Sequence, residues 1–190
     1  VGREVLFDFE RPALTPGEPV LRVDSVSVRN DRGLLGVEGV SLTVRRNEMV
    51  GIAGVSGNGQ KELIEAITGL RRVETGTIEV AGETVSNRSA RRANNVGITH
   101  VPEERMRFGI VPNLYLYDNA VLKRHHRRPF SNAVLLDYPE IKRHASHIIQ
   151  QFRVDAPTIR SPARNLSGGN IQKLILGREI SGDHALLVAA

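Results

Sequence analysis

The sequence predicts an α/β fold, and three observations support this prediction. Two runs near the N-terminus alternate apolar and polar residues, which is typical of antiparallel strands with one buried face. A short apolar run is then followed by a glycine-rich loop and an amphipathic helix, the βα unit of a core that we expect to be mostly parallel. In the second half, helical spacing replaces the strand pattern until a last apolar run.

Composition is that of an ordinary soluble domain. The 190 residues fit one domain, and 40% of them are hydrophobic against 25% charged. No apolar run approaches the roughly 18 residues of a membrane span, and no signal peptide opens the sequence. We therefore expect a cytosolic protein. The absence of cysteine excludes a disulfide scaffold and a thiolate metal site.

The chain carries a moderate excess of positive charge. Its 26 basic and 21 acidic residues give a net charge of +5, and much of the excess lies in the run K-R-H-H-R-R at 123–128. The favoured interpretation of this run is a solvated helix end and loop. The alternative is a surface that faces nucleic acid, anionic lipid or an acidic partner. Aromatic residues make up only 4% of the chain, so few side chains can stack on bases, and nucleic acid is disfavoured.

The first elements follow from turn residues and period-two alternation. Three prolines and a glycine between positions 12 and 19 predict a linker. Strands are predicted at 21–28 and 39–45, joined by the turn residues N-D-R-G at 30–33. These two strands form a small antiparallel unit.

The next elements form the predicted core. An apolar strand at 48–53 leads into the glycine-rich loop 54–59, and short strands follow at 76–80 and 97–101. The helix after the loop has one apolar face, made of Leu63, Ile64, Ile67 and Leu70.

Helices dominate residues 102–162, before a further helix at 167–180 and a last strand at 186–190. The clearest helical spacing is that of Ile141, Ala145, Ile148, Ile149 and Phe152. The sequence begins on valine and stops within an apolar run, so we expect both ends to continue in a longer protein.

The glycine-rich loop carries the first candidate site. Its sequence at 54–62, G-V-S-G-N-G-Q-K-E, places glycines where backbone N–H groups can face phosphate at a helix start. The full pattern G-x-x-x-x-G-K-[ST] fails at two positions, because Gln60 stands at the lysine position and Lys61 at the hydroxyl position. Lys61 is turned about 100° around the helix from the phosphate-facing direction. The candidate residues are Gly54, Ser56, Gly57, Asn58, Gly59, Gln60 and Lys61.

The two departures predict a weak site. Loss of one charge-assisted hydrogen bond costs about 1.5–3 kcal/mol, or roughly tenfold to hundredfold in affinity. Nucleotide binding can survive this loss, whereas efficient phosphoryl transfer is not expected. The alternative interpretation is a glycine-rich turn without a ligand.

The second candidate site is L-S-G-G-N at 166–170. Ser167 is a good helix N-cap, and Gly168 and Gly169 leave their N–H groups open to an anion. The alternative is an ordinary capped helix start.

The order of these motifs resembles the ATP-binding cassette (ABC) of transport ATPases. More narrowly, G-N-G-Q-K-E-L, V-P-E-E-R followed by F-G-I-V, and L-S-G-G-N-x-Q-K resemble the C-terminal cassette of double-cassette importers for ribose, galactose and related sugars. A sister group imports nucleosides. The resemblance covers residues 19–190. It implies an ABC-type nucleotide-binding domain with a P-loop NTPase-like core sheet, an antiparallel β subdomain and an inserted helical subdomain, incomplete at its C-terminal end.

The resemblance also implies a division of the chain. Residues 1–19 correspond to the linker between cassettes, and residues 20–101 to the β subdomain with the first part of the ATP-binding core. Residues 102–163 correspond to the helical subdomain, and residues 164–190 to the signature helix with the last core strand.

The same resemblance implies roles for single residues. Glu103 falls where most cassettes place the glutamine that contacts Mg²⁺ and the attacking water. Asn30 falls near the usual adenine-stacking aromatic residue, and Ala190 replaces the metal-binding aspartate. None of the six histidines falls at the switch position. We therefore assign no catalytic residue and no metal ligand in this chain.

Such cassettes pair head to tail, each ATP lying between one phosphate loop and the other cassette's signature loop. The resemblance implies that this chain's own site binds ATP and Mg²⁺ weakly or not at all, and that its signature loop completes the site of an N-terminal cassette in the same polypeptide. This fragment alone is expected to be inactive. The implied location is peripheral, at the cytoplasmic face of the inner membrane.

The partners implied are permease subunits and, indirectly, a periplasmic or surface solute-binding protein, with no nucleic acid. A nucleoside importer and a soluble, non-transport ABC protein are the alternatives. The degenerate loop argues against the soluble protein. A non-catalytic α/β interaction domain is a third interpretation, which a nucleotide-binding test would separate from the others.

Overall fold

The computed structural model describes residues 14–55, 57–132 and 134–190. Its strands are β1 (Pro19–Arg29), β2 (Leu35–Arg45), β3 (Val73–Val80), β4 (Glu83–Thr84), β5 (Ile98–Val101) and β6 (Leu186–Ala189). Its α-helices are α1 (Gln60–Ile67), α2 (Ala90–Asn95), α3 (Leu116–Ala120), α4 (Tyr138–Gln151) and α5 (Gly168–Ile180). The predicted linker lies largely outside the described residues. None of the helices in these ranges is long and apolar enough to span a bilayer.

The larger sheet is antiparallel and has the strand order β2-β1-β3-β4. In the middle of β1, Val23 is paired with Leu42 on one side and with Ile78 on the other. The ladder shifts register near Gly76, whose backbone lies so close to Asp24 that a Cβ would meet its carbonyl oxygen at 2.3 Å. The predicted antiparallel unit is confirmed. The prediction of a mostly parallel core is wrong for β3, which belongs to this antiparallel sheet.

A second sheet contains the parallel pair β5 and β6. Their register pairs Ile98 with Leu186 and Val101 with Ala189, so the predicted strands at 97–101 and 186–190 are confirmed. One hydrophobic cluster joins this pair to α1 and to the antiparallel sheet, and α1 contributes Leu63 to it. The two sheets therefore share a core, and that core fixes α1 against both.

The predicted strand at 48–53 is wrong, because this segment is irregular in the structure. Its apolar side chains are exposed: Met49 to 90% and Ile52 to 52%. A strand needs a neighbour that completes its hydrogen-bond ladder. Among the described residues, β5 and β6 pair only with each other and leave this segment without a partner strand. An apolar run alone did not determine a strand here.

Helix α1 ends earlier than its apolar pattern predicts. Gly69 has a φ of +74° directly after the cap, a conformation that glycine adopts readily. The N–H of Leu70 donates to the Glu65 carbonyl at 2.7 Å, and that of Gly69 donates to the Ala66 carbonyl at 3.2 Å. These two bonds form a Schellman cap, which turns the chain and leaves Leu70 61% exposed. The prediction that Leu70 lies on the buried face is wrong.

The helices of the second half share a separate cluster, and α4 and α5 confirm the predicted helices at 141–152 and 167–180. Gly177 allows their close approach, since a Cβ there would lie 2.5 Å from Ile148 Cγ2 and 2.9 Å from Phe152 Cδ2. Residues 102–163 also contain a π-helical turn at Arg105–Gly109 and several irregular turns. The proposed division into subdomains stays a prediction.

Candidate functional site

The glycine-rich loop is shaped by two left-handed glycines. Gly57 and Gly59 have φ values of +92° and +93°. Any side chain at Gly59 is excluded, because a Cβ there would lie 2.1 Å from the carbonyl oxygen of Gly36 in β2. Within the loop, the N–H of Asn58 donates to the Val55 carbonyl at 3.2 Å. The backbone of β2 therefore lies in close contact with this loop and restricts its conformation.

Backbone N–H groups gather where the loop meets α1. The first bond of the helical ladder runs from Leu63 N–H to the Gly59 carbonyl at 2.9 Å. The N–H groups of Gln60, Lys61 and Glu62 precede that bond and point out of the positive end of the helix. This arrangement fits an anion in the way that phosphate loops do. Ser56 lies outside the described residues, so its predicted role is not tested.

The Gln60 side chain folds back over the loop. Its Nε2 donates to the Val55 carbonyl at 3.3 Å, and a Cβ on Gly54 would lie 2.2 Å from the same nitrogen. Gly54 is therefore needed to admit the amide. The lysine position of the phosphate-loop pattern is thus held by a neutral group that bonds to the loop itself.

Lys61 is directed to carboxylates on the protein surface. Its Nζ lies 3.6 Å from Asp31 Oδ2 and 3.9 Å from Glu65 Oε1, and its side chain is 58% exposed. Arg71 contacts the same two carboxylates at 2.6 Å each and holds the pKa of the Asp31 carboxyl below its usual range. The ammonium group of Lys61 therefore lies on the side of these carboxylates and stays exposed to solvent.

A cavity of about 650 Å³ lies between α1, α2 and the carboxyl ends of β5 and β6. It brings together three residues of the predicted site, Gln60, Lys61 and Glu103, and it is also lined by Ala190, which replaces the metal-binding aspartate. Ligands of open α/β sheets bind at this end of the strands. Glu103 is exposed here, and Ala190 supplies no side-chain ligand. Within the described ranges no group of three or more His, Asp or Glu residues is arranged to hold a metal ion.

The L-S-G-G loop forms a capped and accessible helix start. Ser167 Oγ accepts a hydrogen bond from the N–H of Asn170 at 3.4 Å, and a Cβ on Gly169 would meet no atom within 4 Å. Asn170 Oδ1 in turn accepts from the N–H of Asp155 at 3.0 Å, which anchors the loop. Ser167, Gly168 and Gly169 do not line the large cavity. The two candidate loops are therefore separate on this chain.

Sequence reasoning missed Arg105 as a site residue. A Cβ on Gly168 would lie 2.9 Å from its NH2 nitrogen, so the guanidinium rests against the glycine of the L-S-G-G loop. The V-P-E-E-R motif contains this arginine, but it lies more than 60 residues before the loop, and no local pattern in the sequence indicates a contact over that separation. Arg105 adds a positive charge beside the exposed N–H groups.

The basic run at 123–128 is not simply a solvated edge. Lys123 Nζ lies 2.9 Å from the carboxylate of Glu179, whose side chain is only 2% exposed. Arg127 donates to Asn94 Oδ1 at 3.4 Å. The interpretation of the whole run as solvated is wrong, since these two cations bind groups on α5 and α2.

Comparisons with known proteins agree with this geometry. The family model described as ABC transporter matches residues 37–189. The chain is 49% identical over its whole length to a glucose import ATP-binding protein of Haloferax volcanii and 43% identical to a guanosine import ATP-binding protein of Bacillus subtilis. It spans only 35% and 37% of the lengths of these two relatives.

The fold comparison is consistent with this family match. The dimeric ATP-binding cassette MJ0796, in a post-hydrolysis state with ADP and Pi, aligns with 89% of this chain and 72% of its own, with a TM-score of 0.73 and 18% identity. A nucleotide-free cassette aligns with 90% of this chain and 68% of its own, with a TM-score of 0.70 and 18% identity. At this identity the likeness concerns the fold. From the family match and the shared fold together, the chain belongs to the ABC transporter family and has the fold of its ATP-binding cassettes.

Proposed function

We propose that this chain is an ATP-binding cassette of an importer for simple sugars, with nucleosides as the alternative substrate class. The relatives above are named for glucose and guanosine import, and a galactose/methyl galactoside import ATP-binding protein of Haemophilus influenzae is 34% identical over 94% of this chain and 34% of its own length. Substrate choice is expected to lie in other subunits. The partners are a membrane permease and a solute-binding protein, and the location is the cytoplasmic face of the membrane.

The cassette works as a helper of a second cassette, which we place N-terminal in the same polypeptide. The observation that carries this proposal is the contrast between the two loops. At the phosphate loop, the neutral Gln60 stands at the lysine position and bonds to the Val55 carbonyl, and Lys61 is directed to Asp31, so the loop lacks the positive charge of the usual lysine at its own position. At the L-S-G-G loop, Ser167 and Gly169 are exposed.

The two loops then have different tasks. The N–H groups at the start of α1 bind the phosphates of ATP weakly, and this half-site does not hydrolyse the nucleotide, because the lysine of the phosphate-loop pattern is replaced by Gln60. The partner cassette holds an ATP molecule whose γ-phosphate faces the L-S-G-G loop of this chain. The Ser167 hydroxyl and the N–H groups of Gly168 and Gly169 donate to its oxygens, where negative charge must be stabilised. A soluble, non-transport ABC protein is less favoured, because it would need a competent loop here.

The experiment compares Ser167→Arg with Lys61→Ala in the complete two-cassette protein reconstituted with its permease. A bulky cation at Ser167 blocks closure on the partner's nucleotide, so we expect a loss of about 10²–10³ in turnover. Lys61→Ala should change turnover less than about threefold, since Lys61 is exposed and paired with surface carboxylates. The matched control is Ser146→Arg on the exposed side of α4.

A larger loss in Lys61→Ala than in Ser167→Arg would overturn the helper role. Equal losses in Ser146→Arg and Ser167→Arg would show that any added arginine disturbs the protein, and would also remove this support. Failure of the complete protein to bind any nucleotide would instead favour a non-catalytic interaction domain.

A further inference from the structure

A small cavity of about 70 Å³ lies beside the end of α5, apart from both candidate loops. Its charged lining consists of four cations and two carboxylates: Lys123, Arg124, Arg127, Arg178, Glu179 and Asp183. Neither the phosphate loop nor the L-S-G-G loop contributes to it. The small cavity adjoins the large one, since Asn94 and Lys123 line both, but its arginines and Glu179 line the small cavity alone.

The charges around the cavity do not balance. The buried Glu179 carboxylate accepts from both Lys123, at 2.9 Å, and Arg178, at 2.8 Å, so one negative charge serves two positive ones. Burial lowers the pKa of Lys123. The negative charge of Glu179 raises this pKa in part, and the positive charge of Arg178 lowers it further. Asp183 is exposed to solvent in the irregular segment before β6. Arg124 and Arg127 add further positive charge to a partly enclosed space, where unbalanced charge is costly.

Arg124 has an unsatisfied group at this point. Its NH1 nitrogen is buried and has no hydrogen-bond acceptor among the described residues. The Cζ of Arg124 lies over the Phe130 ring, 5.6 Å from its centre, and this cation–π contact supplies no oxygen acceptor for NH1. Gly182 leaves room for that edge, since a Cβ there would lie 2.6 Å from NH1. A buried charged donor without an acceptor indicates a missing partner.

We propose that this cavity binds a small inorganic oxyanion of the phosphate type. The cavity of about 70 Å³ exceeds the roughly 10–15 Å³ that one water needs and is of a size that suits a small ion. Guanidinium groups suit oxyanions because their N–H groups form a planar fork. The bound anion accepts from Arg124 NH1 and offsets the surplus positive charge. It thereby ties residues 123–127 to the end of α5.

The test is phosphate binding to the full-length protein without nucleotide, followed by ³¹P NMR and by thermal unfolding. Ionic strength is held constant with gluconate, a carboxylate that carries no tetrahedral oxyanion group. We expect saturable binding of inorganic phosphate. Arg124→Gln should weaken it about tenfold or more, because a charge-assisted bond is lost. Arg128→Gln, the exposed neighbour in the same basic run, should leave the affinity within about twofold.

Gly182→Ala is the second variant, and it keeps every charge. Its Cβ would displace the end of Arg124, so it should also weaken phosphate binding even if Arg124→Gln does not fold. Phosphate bound at the glycine-rich loop would respond to neither variant. Unchanged affinity in both variants would overturn the proposal, and so would the absence of saturable binding, which would mean that the cavity holds water only.

Discussion

Glu179→Gln is the most informative perturbation of stability. The carboxylate is 2% exposed and lies within 2.9 Å of both the Lys123 ammonium and the Arg178 guanidinium. Glutamine has nearly the same shape but no charge. The substitution therefore leaves Arg178, itself only 3% exposed, without its counter-charge.

The size of the effect follows from burial. Removing one partner of a buried ion pair costs about 3–5 kcal/mol. We expect the lower end, about 3 kcal/mol, because Arg178 NH1 still donates to the carbonyls of Gly109 and Asn119 at 2.8 and 3.3 Å. In a protein of this size that corresponds to a fall in Tm of about 6–12 °C.

The assay is thermal and urea unfolding of the wild type and of two variants. The control, Glu83→Gln, removes a surface pair with Arg92 in which both side chains are half exposed. Such pairs contribute about 0–1 kcal/mol, so the control should unfold close to the wild type. If Glu179→Gln lost no more stability than Glu83→Gln, the argument that Glu179 anchors this cluster would be refuted.

Four further predictions follow from other parts of the molecule. Gly177→Ala should destabilise by about 1–3 kcal/mol in urea unfolding, because a Cβ would overlap Ile148 and Phe152; an unchanged midpoint would contradict the tight contact of α4 and α5. Burial holds the pKa of His100 in the folded chain below its usual range, so at mildly acidic pH the unfolded chain binds a proton that the folded chain does not. The free energy of unfolding should therefore fall as the pH drops below about 6.5, and His100→Asn should flatten that dependence. The isolated chain should show no ATP turnover above background in a phosphate-release assay with Mg²⁺, and turnover that survives repurification would refute this. DNA and RNA should not bind the run at 123–128, and salt-sensitive submicromolar binding in a filter assay would contradict that.

Local patterns in the sequence were sufficient for most elements. Period-two alternation located β1, and helical spacing located α4, because each pattern reflects one buried face. Ser167 was correctly predicted as a helix N-cap, since its hydroxyl accepts from the N–H of Asn170. These predictions succeeded because the interactions involved lie within a few residues along the chain.

Predictions that depended on distant neighbours failed. The segment at 48–53 is apolar enough for a strand, but strand formation depends on a partner that its own residues do not determine. Lys123 looked like one cation of a solvated run, because its carboxylate partner Glu179 lies 56 positions away. Arg105 beside Gly168 is a contact of the same kind. The candidate site was therefore predictable as two loops, but the charges around them were not.

The parallel pair β5–β6 has a consequence for the order of folding. Residues 102–185 lie between the two strands, so pairing them closes a long loop. The entropy of closing this loop is lost before the hydrogen bonds of the pair can stabilise it. The hairpin β1–β2 joins segments only a short turn apart and carries no comparable entropic cost. We therefore expect the hairpin to form early and β5–β6 to form late, as non-local contacts slow folding. In hydrogen exchange during refolding, protection of the β1 amides should precede protection of the β6 amides.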